Sequence, residues 1–190
     1  MSRPTVPLVS RTLAVEAATR LIDAHGLEGL SMRAVGAALG VSGPALYHHF
    51  ANKEALLDAV ADALLAEALP THPVDDDWAH CLLDAVCTYR DALLAHPHAI
   101  PLLTRLRRDS GSLGYYAELF ARMRQDGLSD AQIDTLVSGH LALATGAALG
   151  RLRELAGGAE PWRALLCSDD DDDTRLRRAC AALQAGIRAR

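Results

Sequence analysis

The sequence predicts an all-α fold: three short N-terminal helices, a fourth that links, and a helical body of five or six more. Three observations carry this. Half of the 190 residues are hydrophobic but only 4% are aromatic, and the apolar content is largely Ala and Leu. These are strong helix formers with little demand for sheet packing. Apolar residues recur at helical spacing along most of the chain. The eight prolines stand at the ends of such runs rather than in a repeating or linker pattern.

Residues 1–9 read as a loose arm carrying Arg3. The first helix is expected from about Ser10 to His25, with Leu13, Ala17, Ala18, Leu21 and Ile22 as its apolar stripe and Gly26 as its stop. Ser31 suits an N-cap for a second helix, in which Met32, Val35 and Leu39 face the core and after which Gly40 ends the run. Ser42 caps a third helix, Gly43–His49. Its Pro44 is tolerated because a first turn lacks intrahelical N–H partners anyway. Asn52 caps the fourth, from Lys53 to about Leu69, with Leu56, Leu57, Val60, Leu64 and Leu65 on one side.

Pro70 to Pro73 break the chain, and Asp75–Asp77 favour a helix start through the helix dipole. The fifth helix is expected over Trp78–Ala95, a short one over 98–107, and another over Ser112–Gln125. Ser129 with Gln132 is a capping-box pattern that opens a long helix to about Leu155, ended by Gly157 and Gly158. Residues 161–167 read as a turn or short helix. The five aspartates at 169–173 read as a solvated charge run that favours the start of a last helix, about Thr174–Ala189.

The stretch Leu30 to Glu54, LSMRAVGAALGVSGPALYHHFANKE, has the spacing of a helix, a tight turn, a short helix and a new helix start. A helix-turn-helix of this kind places its second helix in a DNA major groove. A helix this short is unstable alone in water, so Leu46, Phe50 and Val41 must hold it from beneath. Gly43, Pro44, Ala45, Tyr47, His48 and His49 remain for the outer side. Gly43 permits close approach, and Pro44 and Ala45 suit a thymine methyl. Tyr47 can donate to a phosphate, His48 can reach base edges and His49 a phosphate. Lys53 can clamp the flanking backbone, and Arg33 can meet a base or phosphate. Phosphate contacts position such an element and base contacts give it sequence preference.

Charge agrees with this division. Residues 1–53 carry five basic and three acidic side chains, net +2, whereas the rest carry 14 and 21, net −7. An overall −5 argues against a protein that merely coats nucleic acid. Lys53 is the single lysine of the chain. One such head offers few contacts. Pairing two around a two-fold axis fits a palindromic operator, so the body is expected to form a homodimer. The expected seam is Ala144, Thr145, Ala147 and Ala148 of the long helix with Ala179, Leu183 and Ile187 of the last; the same residues could instead close a core within one subunit.

On these residues, LSMRAVGAALGVSGPALYHHFANKEALLDAV resembles the DNA-binding signature of the TetR family of bacterial transcriptional repressors, over about residues 9–65. The resemblance implies residues 1–53 as a helix-turn-helix DNA-binding domain and 54–190 as an effector-binding and dimerisation domain. It implies double-stranded operator DNA as a partner, and release of that DNA by a small molecule. It assigns DNA-facing positions to Met32, Arg33, Gly43, Pro44, Ala45, Tyr47, His48, His49 and Lys53. The body, through YRDALLAHPHA and LVSGHLALATGAALG, resembles the tetracycline-repressor branch of the family. It departs where that branch holds magnesium and drug. The metal-binding histidine position is Leu103, and Arg151 and Arg153 stand beside Glu154 near the second liganding site. No metal or cofactor is therefore expected.

A hydrophobic or mixed-polarity effector is expected within the body, against Trp78, Leu82, Val86, Leu103, Leu106, Tyr115, Tyr116, Phe120, His140, Leu141 and Thr145. His140 is the foremost polar candidate, since it interrupts an apolar helix and needs a partner if buried. Two other classes compete. An adaptor without an effector would have a filled body, whereas an enclosed cavity with an unpaired His140 would speak for ligand sensing. An enzyme would need catalytic groups. The eight histidines come with no nucleophile, metal-ligand or phosphate-loop pattern, and His96 and His98 lie two apart, off a common helical face. The four cysteines have no CxxC spacing and read as buried thiols. With no apolar leader and no run of membrane-span length, a cytoplasmic location is expected.

Overall fold

The computed structural model describes residues 10–104, 113–158 and 171–188. The arm with Arg3, the segment holding Leu106, and Pro161 to Cys167 lie outside them. Among the described residues every regular element is helical. They are α1 (Arg11–His25), α2 (Met32–Ala38), α3 (Gly43–Leu46), α4 (Lys53–Glu67), α5 (Trp78–Ala95), α6 (Ile100–Leu103), α7 (Leu113–Gln125), α8 (Asp130–Leu155) and α9 (Asp172–Arg188), with 3-10 turns at Leu27–Gly29 and Pro97–Ala99.

Two compact units divide the chain. One takes the described residues of Met1–Leu64 and His96–Arg107, the other those of Leu65–Ala95 and Arg108–Arg190. Helix α4 begins in the first and ends in the second.

Side-chain caps set four helix starts where the sequence predicts them, and the expected cap at Ser42 makes no side-chain bond. The Ser10 hydroxyl accepts from the Leu13 N–H at 3.1 Å and Ser31 from that of Ala34 at 3.1 Å. The Asn52 side chain accepts from Ala55 at 2.8 Å. Ser129 and Gln132 close a reciprocal capping box. Asp171 accepts from the Thr174 N–H at 2.7 Å, so the aspartate run opens α9 two residues earlier than expected.

In the first unit, α1 buries Ala14, Ala17, Ala18 and Ile22, and α2 buries Met32, Val35 and Gly36. Leu13 is exposed. The inward stripe of α1 therefore starts at Ala14, because small residues bring α1 close to its neighbours. The third helix is shorter than expected. Only Gly43–Leu46 is helical, and 47–49 continue as a hydrogen-bonded turn. Its first turn contains a glycine and a proline, and the Ser42 side chain makes no cap bond, so little local energy propagates the helix.

In the second unit, α5 packs on α8, α8 on α9, and α7 covers α5 and α8. Buried Ile133, Leu136, His140, Ala144 and Ala148 form one stripe of α8 at three- and four-residue spacing. Ala144 and Ala148 thus belong to the core of this chain, a correction to the expected seam. Gly139, Ala142, Leu143, Gly146 and Ala147 instead line an open groove of about 720 Å³ with Asp172, Arg175, Leu176, Ala179 and Leu183 of α9. Cys81, Cys87 and Cys180 are buried free thiols, and burial raises Cys180 to about 11.

Candidate functional site

The helix-turn-helix is built backbone against backbone. A methyl group placed on Gly36 would lie 3.0 Å from the Gly43 nitrogen and 3.0 Å from the Val41 oxygen. The Val41 N–H donates to the Gly36 carbonyl at 2.9 Å. Gly40, at φ +70°, turns the chain between the two helices, a conformation that glycine adopts without strain. Beneath α3, Leu46 and Phe50 are buried as predicted.

Above that support, Arg33, Pro44, Tyr47 and His48 are exposed, and Gly43, Ala45, His49 and Lys53 are partly exposed. Tyr47 stands out at 56% exposure for an aromatic side chain. Met32 is not on this surface. At 8% exposure its side chain packs into the core of the unit, as its place in the predicted stripe requires. Lys53 Nζ lies 3.4 Å from the Leu27 carbonyl, so the ammonium also tethers the 3-10 turn that precedes α2.

Two groups of contacts in this unit, around Arg11 and around Asp23, escaped the sequence reading. Arg11 Nη1 donates to the His49 carbonyl at 2.8 Å, and the guanidinium carbon lies 4.5 Å over the Phe50 ring. His96 Nδ1 donates to the Asp23 carboxylate at 3.0 Å, and His98 Nδ1 donates to the Asp23 carbonyl at 2.9 Å. The two histidines do lie off a common helical face. The tight turn between them nonetheless lets both reach one residue of α1, 73 and 75 residues away in the chain.

In the second unit, Trp78, Leu82 and Val86 are core residues of α5. The Trp78 indole N–H donates to Asp126 at 2.7 Å. Tyr115 donates to the Cys81 carbonyl at 3.3 Å. Tyr115, Tyr116 and Phe120 form a run of ring contacts at 6.0 Å, and burial pushes Tyr116 up to about 12. Thr145 hydrogen-bonds the Tyr89 side chain. Leu141 is half-buried. Leu103 is buried in the first unit, and Leu106 lies outside the described residues.

His140 is fully buried but not unpaired. Its Nδ1–H donates to the Leu136 carbonyl at 2.7 Å, and Nε2 faces the Gln184 amide nitrogen at 3.4 Å. Gln184 also donates to the Ala79 carbonyl at 3.1 Å. One neutral tautomer satisfies this arrangement, with Nδ1 protonated and Nε2 accepting. Burial lowers the His140 pKa below its usual 6.5. The unfolded chain therefore takes up this proton first as pH falls. The contribution is complete above about 6.5 and is lost with acidification. The melting temperature of the wild type should fall more between pH 7 and pH 5 than that of His140→Gln. Parallel pH profiles for the two proteins would refute the assignment.

The fold and the exposed turn define a class: a helix-turn-helix head on a helical body. Residues 14–60 match the model of the family described as bacterial regulatory proteins, tetR family. The chain belongs to that family. It is 48% identical over 85 residues to the class A tetracycline repressor protein from transposon 1721 of Escherichia coli, a stretch covering 43% of this chain and 39% of that repressor. The chain thus matches about two fifths of the length of the tetracycline repressors it resembles. Over the whole fold it is similar to Mycobacterium smegmatis BioQ, with 30% identity, a TM-score of 0.69, and coverage of 95% of this chain and 98% of that one. It shares its fold with the Streptomyces coelicolor TetR family protein ActR in complex with actinorhodin, with a TM-score of 0.74, 23% identity, and coverage of 95% and 97%. Among the described residues no helix is long and apolar enough to cross a membrane.

Proposed function

We propose that this protein is a ligand-responsive transcriptional repressor of the cytoplasm. A homodimer binds a palindromic operator through residues 1–53, and a small hydrophobic or mixed-polarity effector taken up by residues 54–190 releases it. The observation that carries the reading is the exposed Tyr47–His48 turn, with Pro44 and Arg33, braced from below by buried Leu46 and Phe50. Exposed aromatic and imidazole groups on so short an element do little for packing and suit phosphates and base edges.

Dimerisation is supported by the open α8–α9 groove, whose small residues let a second copy approach closely, and by Leu149 and Leu155, exposed farther along α8. Ligand response is supported by kinship with repressors named for tetracycline and by the actinorhodin complex of ActR. Drug recognition of the tetracycline kind is disfavoured, since the resemblance puts Leu103 at the metal-binding histidine position of that branch and His140 already has protein partners. Helix α4 joins Lys53 to the body, so an effector that displaces it shifts the head without unfolding it.

Selection of operator sequences from random DNA, repeated with a small-molecule panel, tests both halves of the reading. The enriched site should be palindromic, with half-sites about 34–36 Å apart or a multiple of that. Alanine at Tyr47, His48 or Lys53 should weaken operator binding while the dimer persists. Losing Lys53 should lower the salt slope by about one unit, and losing neutral Tyr47 should hardly change it. Unaltered affinity in all three variants would remove the groove assignment.

A further inference from the structure

The four-residue α3 cannot orient its outer side chains by its own hydrogen bonds. Tyr47 and His48 sit beyond its last helical residue, in a turn whose shape depends on how His49 and Phe50 are held. From the interior, Leu46 accepts the N–H groups of His49 at 2.9 Å and Phe50 at 3.0 Å. From the outside, one side chain completes the clamp, and it comes from 38 residues away. Arg11, in the first turn of α1, donates to the His49 carbonyl and lays its guanidinium over the buried Phe50 ring.

Local electrostatics do not explain this placement. A cation in a first helical turn meets the positive end of the helix dipole, and Arg11 makes no ion pair among the described residues. At the other end of its reach, the same charge meets the carbonyl end of the recognition element, where a cationic donor is favourable. The His49–Phe50 peptide is thereby fixed at its C=O by Arg11 and at its N–H by Leu46.

We propose that Arg11 is a positioning residue for DNA reading, one that sets the presentation of Tyr47 and His48 by clamping His49 and Phe50 from outside. The proposal rests on the operator-binding reading above. It separates Arg11 from residues that touch DNA: its flat, forked cation is needed for shape, and its charge alone does not suffice.

The test uses the full-length protein with Arg11→Lys and Arg11→Met. Affinity is measured across a salt series for the selected operator and for a scrambled duplex, together with amide exchange at His49 and Phe50 in the free protein. Arg11→Lys keeps the charge but loses the planar stack. It should lose about fivefold in operator affinity, with scrambled-duplex binding and salt slope unchanged. Arg11→Met should lose about tenfold in operator affinity and exchange faster at Phe50, while α1 amides exchange as in the wild type. Full recovery by lysine, with Arg11→Met weakening both duplexes equally and lowering the slope by about one unit, would make Arg11 a phosphate contact and overturn the proposal. Wild-type behaviour in both variants would also overturn it. A wild-type protein that enriches no duplex overturns the operator reading itself, and this role with it.

Discussion

Alanine at Gly36 should abolish tight operator binding while the second unit stays folded. The new methyl would meet the Gly43 nitrogen and the Val41 oxygen at 3.0 Å and the Gly43 Cα at 3.2 Å. All three are backbone atoms, so no rotamer change relieves the contact. Two effects oppose one another. Alanine gains about 1 kcal/mol over glycine in a helix interior, and overpacking a tight site costs about 1–3 kcal/mol. Rigid neighbours on the α2–α3 turn place the cost at the upper end, for a net loss of about 1–2 kcal/mol. Any relaxation must push α3 away from α2, which displaces Tyr47 and His48. Valine adds two methyls and a stiff χ1, so Gly36→Val should lose more. Thermal melts and operator titration of the three proteins check this. A Gly36→Ala protein that melts and binds like the wild type would mean that the turn yields without cost.

Gly36 also shows what the sequence could and could not reveal. Helix starts were legible because a cap is a local event. Ser10, Ser31, Asn52 and the Ser129–Gln132 box all act within four residues of themselves. Leu46 and Phe50 were legible as anchors because their four-residue spacing is itself the signal. The glycine at 36 carries no such signal. Glycine in a helix reads as a modest propensity cost, and only the approach of Gly43 explains it. Arg11, Asp23, His96 and His98 were missed for the same reason, since their partners lie 38 to 75 residues away. The α8 seam was drawn too wide, since it took in Ala144 and Ala148 with Ala147. Alanine suits a helix interface and a tight core equally, so composition could not say that Ala144 and Ala148 point inward while Gly146 and Ala147 line the groove.

Trp78→Ala should cost the second unit about 3–5 kcal/mol, the usual range for deleting a buried tryptophan. Trp78 is 1% exposed at the start of α5, and its indole N–H reaches Asp126 at the end of α7 at 2.7 Å. Truncation opens a cavity and removes the donor from a carboxylate. Trp78→Phe separates the two losses. It retains most of the apolar volume, and since Asp126 is solvent-exposed, the missing hydrogen bond should cost only about 1 kcal/mol. Denaturant unfolding of both variants measures each step. The pair also decides between the two roles open to this residue. If Trp78 holds α5 against the α7–α8 turn, both variants lose stability in that order, and Trp78→Phe still responds to effector. If Trp78 lines the effector site instead, Trp78→Phe keeps its melting temperature and loses the response. The indole hydrogen bond and near-complete burial favour the first outcome, because an indole committed to Asp126 has no donor left for a ligand.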